Sequence, residues 1–129
     1  MSDDFPIRIW DARDFLVGNY RAEIRLQELA SIAGCSEFHF HRLYSQTFGE
    51  TPHQAITRWR VREAETLLRH SGVTVQEVCL DVGFSSLSSF THLFKRYTGV
   101  SPAEYRRVFA IPELYALKVM PACFLKAAS

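Results

Sequence analysis

The strongest constraint on how this chain can fold is an internal duplication. Leu26, Leu29, Ala30 and Gly34 recur as Val75, Val78, Cys79 and Gly83, each 49 positions on. Past the glycine the offset becomes 50. Phe40, Leu43, Tyr44, Gly49 and Pro52 recur as Phe90, Leu93, Phe94, Gly99 and Pro102, so one residue is inserted near the start of the second copy's second helix. A match of that length is hard to produce by accidental amphipathicity and marks a repeated supersecondary unit. Within each copy the apolar residues fall three and four apart, as on one face of a helix, and the shared glycine sits where a helix can stop in a left-handed conformation.

The helix starts can be read from their caps. Thr74-Val75-Gln76-Glu77 is a capping box, in which the threonine hydroxyl accepts from the third helical N–H and the glutamate reaches back to the cap's own N–H. Arg25 stands where the first copy needs that threonine, so its leading helix should be less well capped. Ser36 opens the first copy's second helix, and Ser85 or Ser86 opens the other. Inward stripes are then Phe40, Leu43, Tyr44 and Phe48 in one and Phe90, Leu93, Phe94 and Tyr97 in the other. Leu87, Ser88, Thr91, His92 and Lys95 fall largely on the outer side, and an exposed helix of short polar residues ending in Lys95-Arg96 suits a DNA groove. Two short helices around a tight turn, with the second one exposed, outline a helix-turn-helix DNA reader.

The remaining segments fit around these units. Ile9 to about Tyr20 reads as a first helix with Trp10, Ala12, Phe15 and Leu16 on its apolar face. Thr51-Pro52-His53-Gln54 and Ser101-Pro102-Ala103-Glu104 each combine a capping hydroxyl, a proline at the first helical position and a Gln or Glu that closes the box. The helix from Pro52 to His70 is long, with Ile56, Trp59, Ala64, Leu67 and Leu68 as core and Ser71-Gly72 as its end, and it serves as a spacer. Two reading helices on one face of B-DNA must sit about 34 Å apart to enter successive major-groove segments.

Composition adds bounds. With 47% apolar and 22% charged residues the 129-residue chain is ordinary for a globular protein, and its net charge of +1 gives no support to nucleic-acid binding. The local distribution does. Asp3, Asp4, Asp11 and Asp14 load the amino-terminal region with acid, whereas Arg58, Arg60, Arg62, Lys95, Arg96, Arg106 and Arg107 lie near the two units. Cys35, Cys79 and Cys123 are odd in number and set in apolar patterns, as expected of reduced, mostly buried thiols. No secretory leader and no apolar run of about 20 residues is found, which points to the cytoplasm. Cys35, His39 and His41 do not share one helical face, and Cys123 has no histidine partner, so neither a metal site, a cofactor nor an enzyme is expected.

The run Asp81-Val82-Gly83-Phe84-Ser85-Ser86, with Phe90, then Phe94-Lys95-Arg96-Tyr97-Thr98-Gly99-Val100-Ser101-Pro102 and Tyr105-Arg106, resembles the DNA-binding domain of AraC/XylS transcription regulators. The resemblance extends from about Ile9 to Arg107. It implies an all-α, seven-helix monomeric module, residues 1–107, in which two helix-turn-helix units joined by a long linker helix both enter the major groove. It also implies double-stranded DNA and RNA polymerase as partners, with a small-molecule effector only if a sensor domain exists beyond this chain.

Carried over residue by residue, the family's base-reading positions fall on Phe38, His41 and Arg42 of the first unit and Leu87, Ser88, Thr91 and His92 of the second. A guanidinium such as Arg42 can pair with guanine O6 and N7, or else with a phosphate. Phe38 can meet a thymine methyl or belong to the core. Leu87 and His92 depart from the family, in which a polar residue such as Gln and an Arg are common, so the second unit should read weakly, by shape, or through thymine methyls. Thr51, Arg58, Arg62, Lys95, Arg96 and Ser101 are assigned to phosphates. The near-neutral charge and the two departures leave a second reading, a protein-binding module on the same fold with weak or lost DNA affinity.

Residues 108–129 form a separate C-terminal extension, too apolar for a disordered end. Tyr115, Leu117 and Val119 alternate like a strand, Met120-Pro121-Ala122 interrupts, and Cys123-Phe124-Leu125 resumes. This resembles the first strand of a GyrI-like effector-binding domain, which would make the sequence a truncated regulator. The alternative is an extension that packs on the last helix or pairs between chains.

Overall fold

The computed structural model describes residues 6–70 and 72–109. Across them run seven helices and, among the described residues, no strand: α1 (Ile9–Asn19), α2 (Leu26–Ala33), α3 (Glu37–Phe48), α4 (Pro52–Leu68), α5 (Val75–Asp81), α6 (Leu87–Thr98) and α7 (Pro102–Phe109). The all-α expectation holds. The alternating stretch from Tyr115 to Val119 and the residues Cys123 to Leu125 lie outside the described residues.

The chain divides into two compact units inside α4, between Arg60 and Val61. The first unit buries Ile9, Ala12 and Leu16 of α1, Leu29, Ala30 and Ala33 of α2, Phe40 and Tyr44 of α3, and Ala55 and Ile56 of α4. The second buries Val61, Ala64 and Leu68 of α4, Val78, Cys79, Val82 and Phe84 from α5 and its turn, Phe90 and Phe94 of α6, and Tyr105 of α7. Ile9, Ala12 and Leu16 recur as Val61, Ala64 and Leu68, 52 positions on. The duplication thus extends to the helix that precedes each reading pair. That adds to the description of α4 as a spacer: residues three and four apart share a face, so its first turns complete one core and its later turns begin the other.

Both turns between the paired helices have one hydrogen-bond pattern. Gly34 N–H donates to Ser31 O at 3.2 Å and Cys35 N–H to Ala30 O at 3.1 Å, while Gly83 N–H donates to Leu80 O at 3.1 Å and Phe84 N–H to Cys79 O at 3.0 Å. These are Schellman closures, which satisfy helix-end carbonyls at the expense of one left-handed residue. That residue is Gly34 at φ 82° and Gly83 at φ 107°. The inserted residue lies just beyond: Cys35 alone separates Gly34 from the cap Ser36, whereas Phe84 and Ser85 separate Gly83 from the cap Ser86. Phe84 uses the extra length to bury its ring against Phe90, with centroids 5.2 Å apart. Gly83→Ala is expected to lower stability by about 1–2 kcal/mol, the penalty for a Cβ in the left-handed region. Urea denaturation checks this, and an unchanged midpoint would show that the turn does not depend on the glycine.

The caps follow the sequence closely. Thr74 Oγ1 accepts from Glu77 N–H at 3.0 Å and Glu77 Oε2 from Thr74 N–H at 3.3 Å. At Arg25 only the return half forms, Glu28 Oε1 accepting from its N–H at 3.2 Å, because a guanidinium has no lone pair to offer. Three expectations need correction. Trp10 is 59% exposed, since Ile9, Ala12 and Leu16 occupy the inward stripe; its ring meets Phe48 edge-on at 5.0 Å with the Arg13 guanidinium over it at 5.7 Å. Tyr97 is exposed, as is Thr47 at the equivalent position of α3, because the stripe runs past the core in the last turn. α1 ends at Asn19 with Tyr20 as its cap, as expected. Finally, α4 ends at Leu68 rather than His70, through the tighter bonds Arg69 N–H to Thr66 O and His70 N–H to Leu67 O.

Candidate nucleic-acid interface

The second helix of each unit is fixed from inside and open outside. In α3, Phe40 and Tyr44 are buried and pack against one another with tilted rings, centroids 5.6 Å apart. They fix the rotation of the helix. Ser36 Oγ accepts from His39 N–H at 3.2 Å and fixes its start. Phe38, His39, His41 and Arg42 are consequently all exposed. The alternatives for Phe38 are thereby resolved in favour of exposure, at 75%. His39, Arg42, Leu43 and Gln46 line an open polar hollow of about 320 Å³. Gln46 did not figure among the sequence-derived site residues, although its position one turn beyond Arg42 places it on the same face.

In α6, Phe90 and Phe94 are the fully buried pair, 5.6 Å apart, and Ser86 Oγ accepts from Ser89 N–H at 3.3 Å. Leu87, Ser88 and His92 are exposed and Thr91 is half-buried. Lys95 and Arg96 project from the last turn. α6 therefore carries two cations and no acid, whereas α3 carries Arg42 and Glu37. The outer face of α3 presents His39, His41, Arg42 and Gln46, and that of α6 presents Leu87, Ser88, His92, Lys95 and Arg96.

The basic residues near the units divide by what they touch. Lys95 and Arg96 are exposed, and so is Arg62, which also has an interaction within the protein. Arg58 donates to Glu50 through Nε at 3.0 Å and Nη2 at 2.8 Å, and its guanidinium lies over Trp59 at 5.4 Å. A bidentate pair of this kind holds the corner between α3 and α4, and a phosphate at Arg58 would have to displace Glu50. Arg60 turns away from the outer face altogether. It donates to Tyr20 O at 2.7 Å and Ala22 O at 3.0 Å, closing the end of α1, and burial pulls its pKa down. Arg106 does the same for α4, Nε donating to Leu68 O at 3.3 Å. A cation on terminal carbonyls complements the helix dipole.

The helix starts at Thr51 and Ser101 offer fewer amides than expected. Thr51 N–H is taken by Gln54 Oε1 at 2.9 Å and Gln54 N–H by Thr51 Oγ1 at 3.1 Å, and Ser101 Oγ accepts from Glu104 N–H at 3.2 Å. Burial raises the thiol pKa of both Cys79 and Cys35, which disfavours the reactive thiolate; Cys123 lies outside the described residues. Among the described residues no group of three or more His, Cys, Asp or Glu is placed to hold a metal, and no helix is long and apolar enough to cross a membrane.

Comparison with known proteins agrees with this geometry. Residues 29–108 match the family described as Helix-turn-helix domain. An uncharacterized HTH-type transcriptional regulator of Haemophilus influenzae is 34% identical over 82 residues, 64% of this chain and 28% of the relative, so this chain spans under a third of that protein's length. The DNA-binding domain of AdpA, a global transcriptional factor, solved in complex with a target DNA, superposes with a TM-score of 0.73 at 27% identity, covering 85% of this chain and 94% of that one. The C-terminal domain of AraT, a response regulator from Geobacillus stearothermophilus, gives a TM-score of 0.76 at 28% identity, covering 87% and 93% respectively.

Proposed function

The chain belongs to the AraC-type helix-turn-helix family, and on that premise we propose that it is a sequence-specific regulator of transcription that places α3 and α6 in successive segments of the DNA major groove. The observation that carries the reading is the duplicated geometry itself. In both units a buried aromatic pair and a serine cap fix a twelve-residue helix whose opposite face is exposed and mostly polar. Contacts divide by chemistry. His41 and Arg42 of α3 face base edges, joined by Gln46 one turn on, while Leu87, Ser88, Thr91 and His92 of α6 face the groove with fewer directed donors. Arg62, Lys95 and Arg96 are the phosphate contacts, with smaller contributions from the helix starts at Thr51 and Ser101. Arg58 is left to hold Glu50. RNA polymerase is the protein partner this reading implies.

Retention on duplex DNA as a function of salt tests the proposal. Log affinity should fall linearly with log salt concentration, because neutralised phosphates release their counterions. Lys95→Ala should weaken binding nearly equally on all sequences and reduce that slope by about 1. Salt-independent or absent retention would instead support the protein-binding module, and a sequence-dependent loss in Lys95→Ala would move that residue to the base edges.

A further inference from the structure

Glu50 lies between Gly49, which ends α3, and Thr51, which caps the start of α4. Arg58 of α4 engages both of its carboxylate oxygens, Nε donating to Oε1 at 3.0 Å and Nη2 to Oε2 at 2.8 Å. A second guanidinium is close by. Burial raises the Tyr44 pKa and Glu50 raises it further, while Arg13 and Arg58 pull it back, so the Tyr44 hydroxyl feels all three charges. The corner thus sets two cations against one anion, and it is open to solvent, with the Glu50 side chain 22% and the Arg58 side chain 38% exposed. The duplication shows that the fold closes this corner without an ion pair. Fifty positions on, Val100 and Val108 stand in place of Glu50 and Arg58, Val100 packed against the second core and Val108 exposed.

Resting on the DNA-binding reading above, we infer that Glu50 limits affinity for DNA: its carboxylate takes the seat of a backbone phosphate on Arg58 and so holds down sequence-independent binding. Carboxylate and phosphate offer a guanidinium fork the same pair of oxygens. The donors that grip Glu50 are therefore those that a phosphate needs, and Glu50 adds a negative charge that repels it. Sequence-independent binding comes almost entirely from phosphates neutralised by cations. An arginine engaged internally removes one such contact and leaves the base edges facing α3 untouched. The benefit is release from the wrong sites, since a genome offers about 10⁶–10⁹ of them in competition with the right one.

The test measures affinity of the full chain for a selected duplex and for an unrelated duplex as salt is varied. Glu50→Ala and Glu50→Gln should both bind more tightly than wild type on both duplexes, by a similar factor and with base preference unchanged. In Glu50→Ala the slope of log affinity against log salt should steepen by about 0.9, the value of one added phosphate contact, so its advantage should shrink about 3.5-fold between 50 and 200 mM salt. Glu50→Ala/Arg58→Ala should return to the wild-type slope, because the gain is made through Arg58. A gain that persists in this double variant would overturn the inference by reducing Glu50 to simple repulsion. An unchanged slope in Glu50→Ala, or weaker binding by both single variants together with a lower urea midpoint, would overturn it by leaving the pair a purely structural role. Absence of wild-type retention on any duplex would overturn the DNA-binding reading and the inference with it.

Discussion

Phe90→Ala is expected to destabilise the second unit by about 3–5 kcal/mol, the range for truncating a fully buried aromatic. Phe90 is 0% exposed and lies between Phe84 and Phe94, with ring centroids at 5.2 and 5.6 Å. Removing it loses the burial of the ring and opens a cavity that the neighbouring rings can fill only in part. A loss of this size approaches the whole stability of a small domain, commonly about 5–15 kcal/mol, so α6 should no longer be held in reading orientation. Urea denaturation of the variant checks this directly. Phe38→Ala is the matched control, an exposed phenylalanine expected to shift stability within about 0.5 kcal/mol. A Phe90→Ala loss under 1 kcal/mol would contradict the assignment of that ring to the core.

Arg42→Ala is expected to weaken binding to the preferred duplex by about 1–3 kcal/mol and to relax preference at one base pair. The orientation of the side chain decides this. Phe40 and Tyr44 bury one side of α3, and Arg42, midway between them in sequence, is turned to the exposed side. It lines the hollow shared with His39, Leu43 and Gln46, where a bidentate approach to guanine O6 and N7 can be supported by neighbouring donors. A phosphate contact would show itself differently. Binding would then fall by a similar factor on every sequence, with a shallower salt dependence and an unchanged base preference. Competition binding with the preferred duplex and single-base variants separates the two.

Much of this architecture follows from local rules, and the departures have local causes. Glycine turns, capping boxes and the paired aromatics Phe40 with Tyr44 and Phe90 with Phe94 depend on near neighbours in sequence, which is why the repeat exposed them. Trp10 and Tyr97 did not follow their types: one sits beside its helix's inward stripe and the other beyond the end of the core. The dual role of α4 was available in the spacing of Val61, Ala64 and Leu68, which copies Ile9, Ala12 and Leu16, but it is obscured because one continuous helix carries the end of one unit and the start of the next. Arg58, Arg60 and Arg106 show the limit of reading charge from sequence. Each stands in a basic neighbourhood, and each is engaged by a carboxylate or by carbonyls contributed from elsewhere in its own unit. Only the fold reveals those partners, and the set of residues left facing outward is correspondingly smaller than the set of arginines.

The two units are expected to divide the labour, with base reading by the first and mainly phosphate gripping by the second, and a base-preference profile of sites selected by the full chain from random DNA tests this most directly. α3 offers Arg42 for bidentate contact, with His41 and Gln46 nearby; α6 offers Leu87, Ser88, His92 and a half-buried Thr91, followed by Lys95 and Arg96. The profile should show one sharply defined half containing an invariant guanine and, in the neighbouring major-groove segment, a degenerate half. Arg42→Ala should blur the sharp half, while His92→Ala leaves the profile nearly unchanged. Two equally sharp halves, or a greater loss of preference in His92→Ala than in Arg42→Ala, would contradict the account.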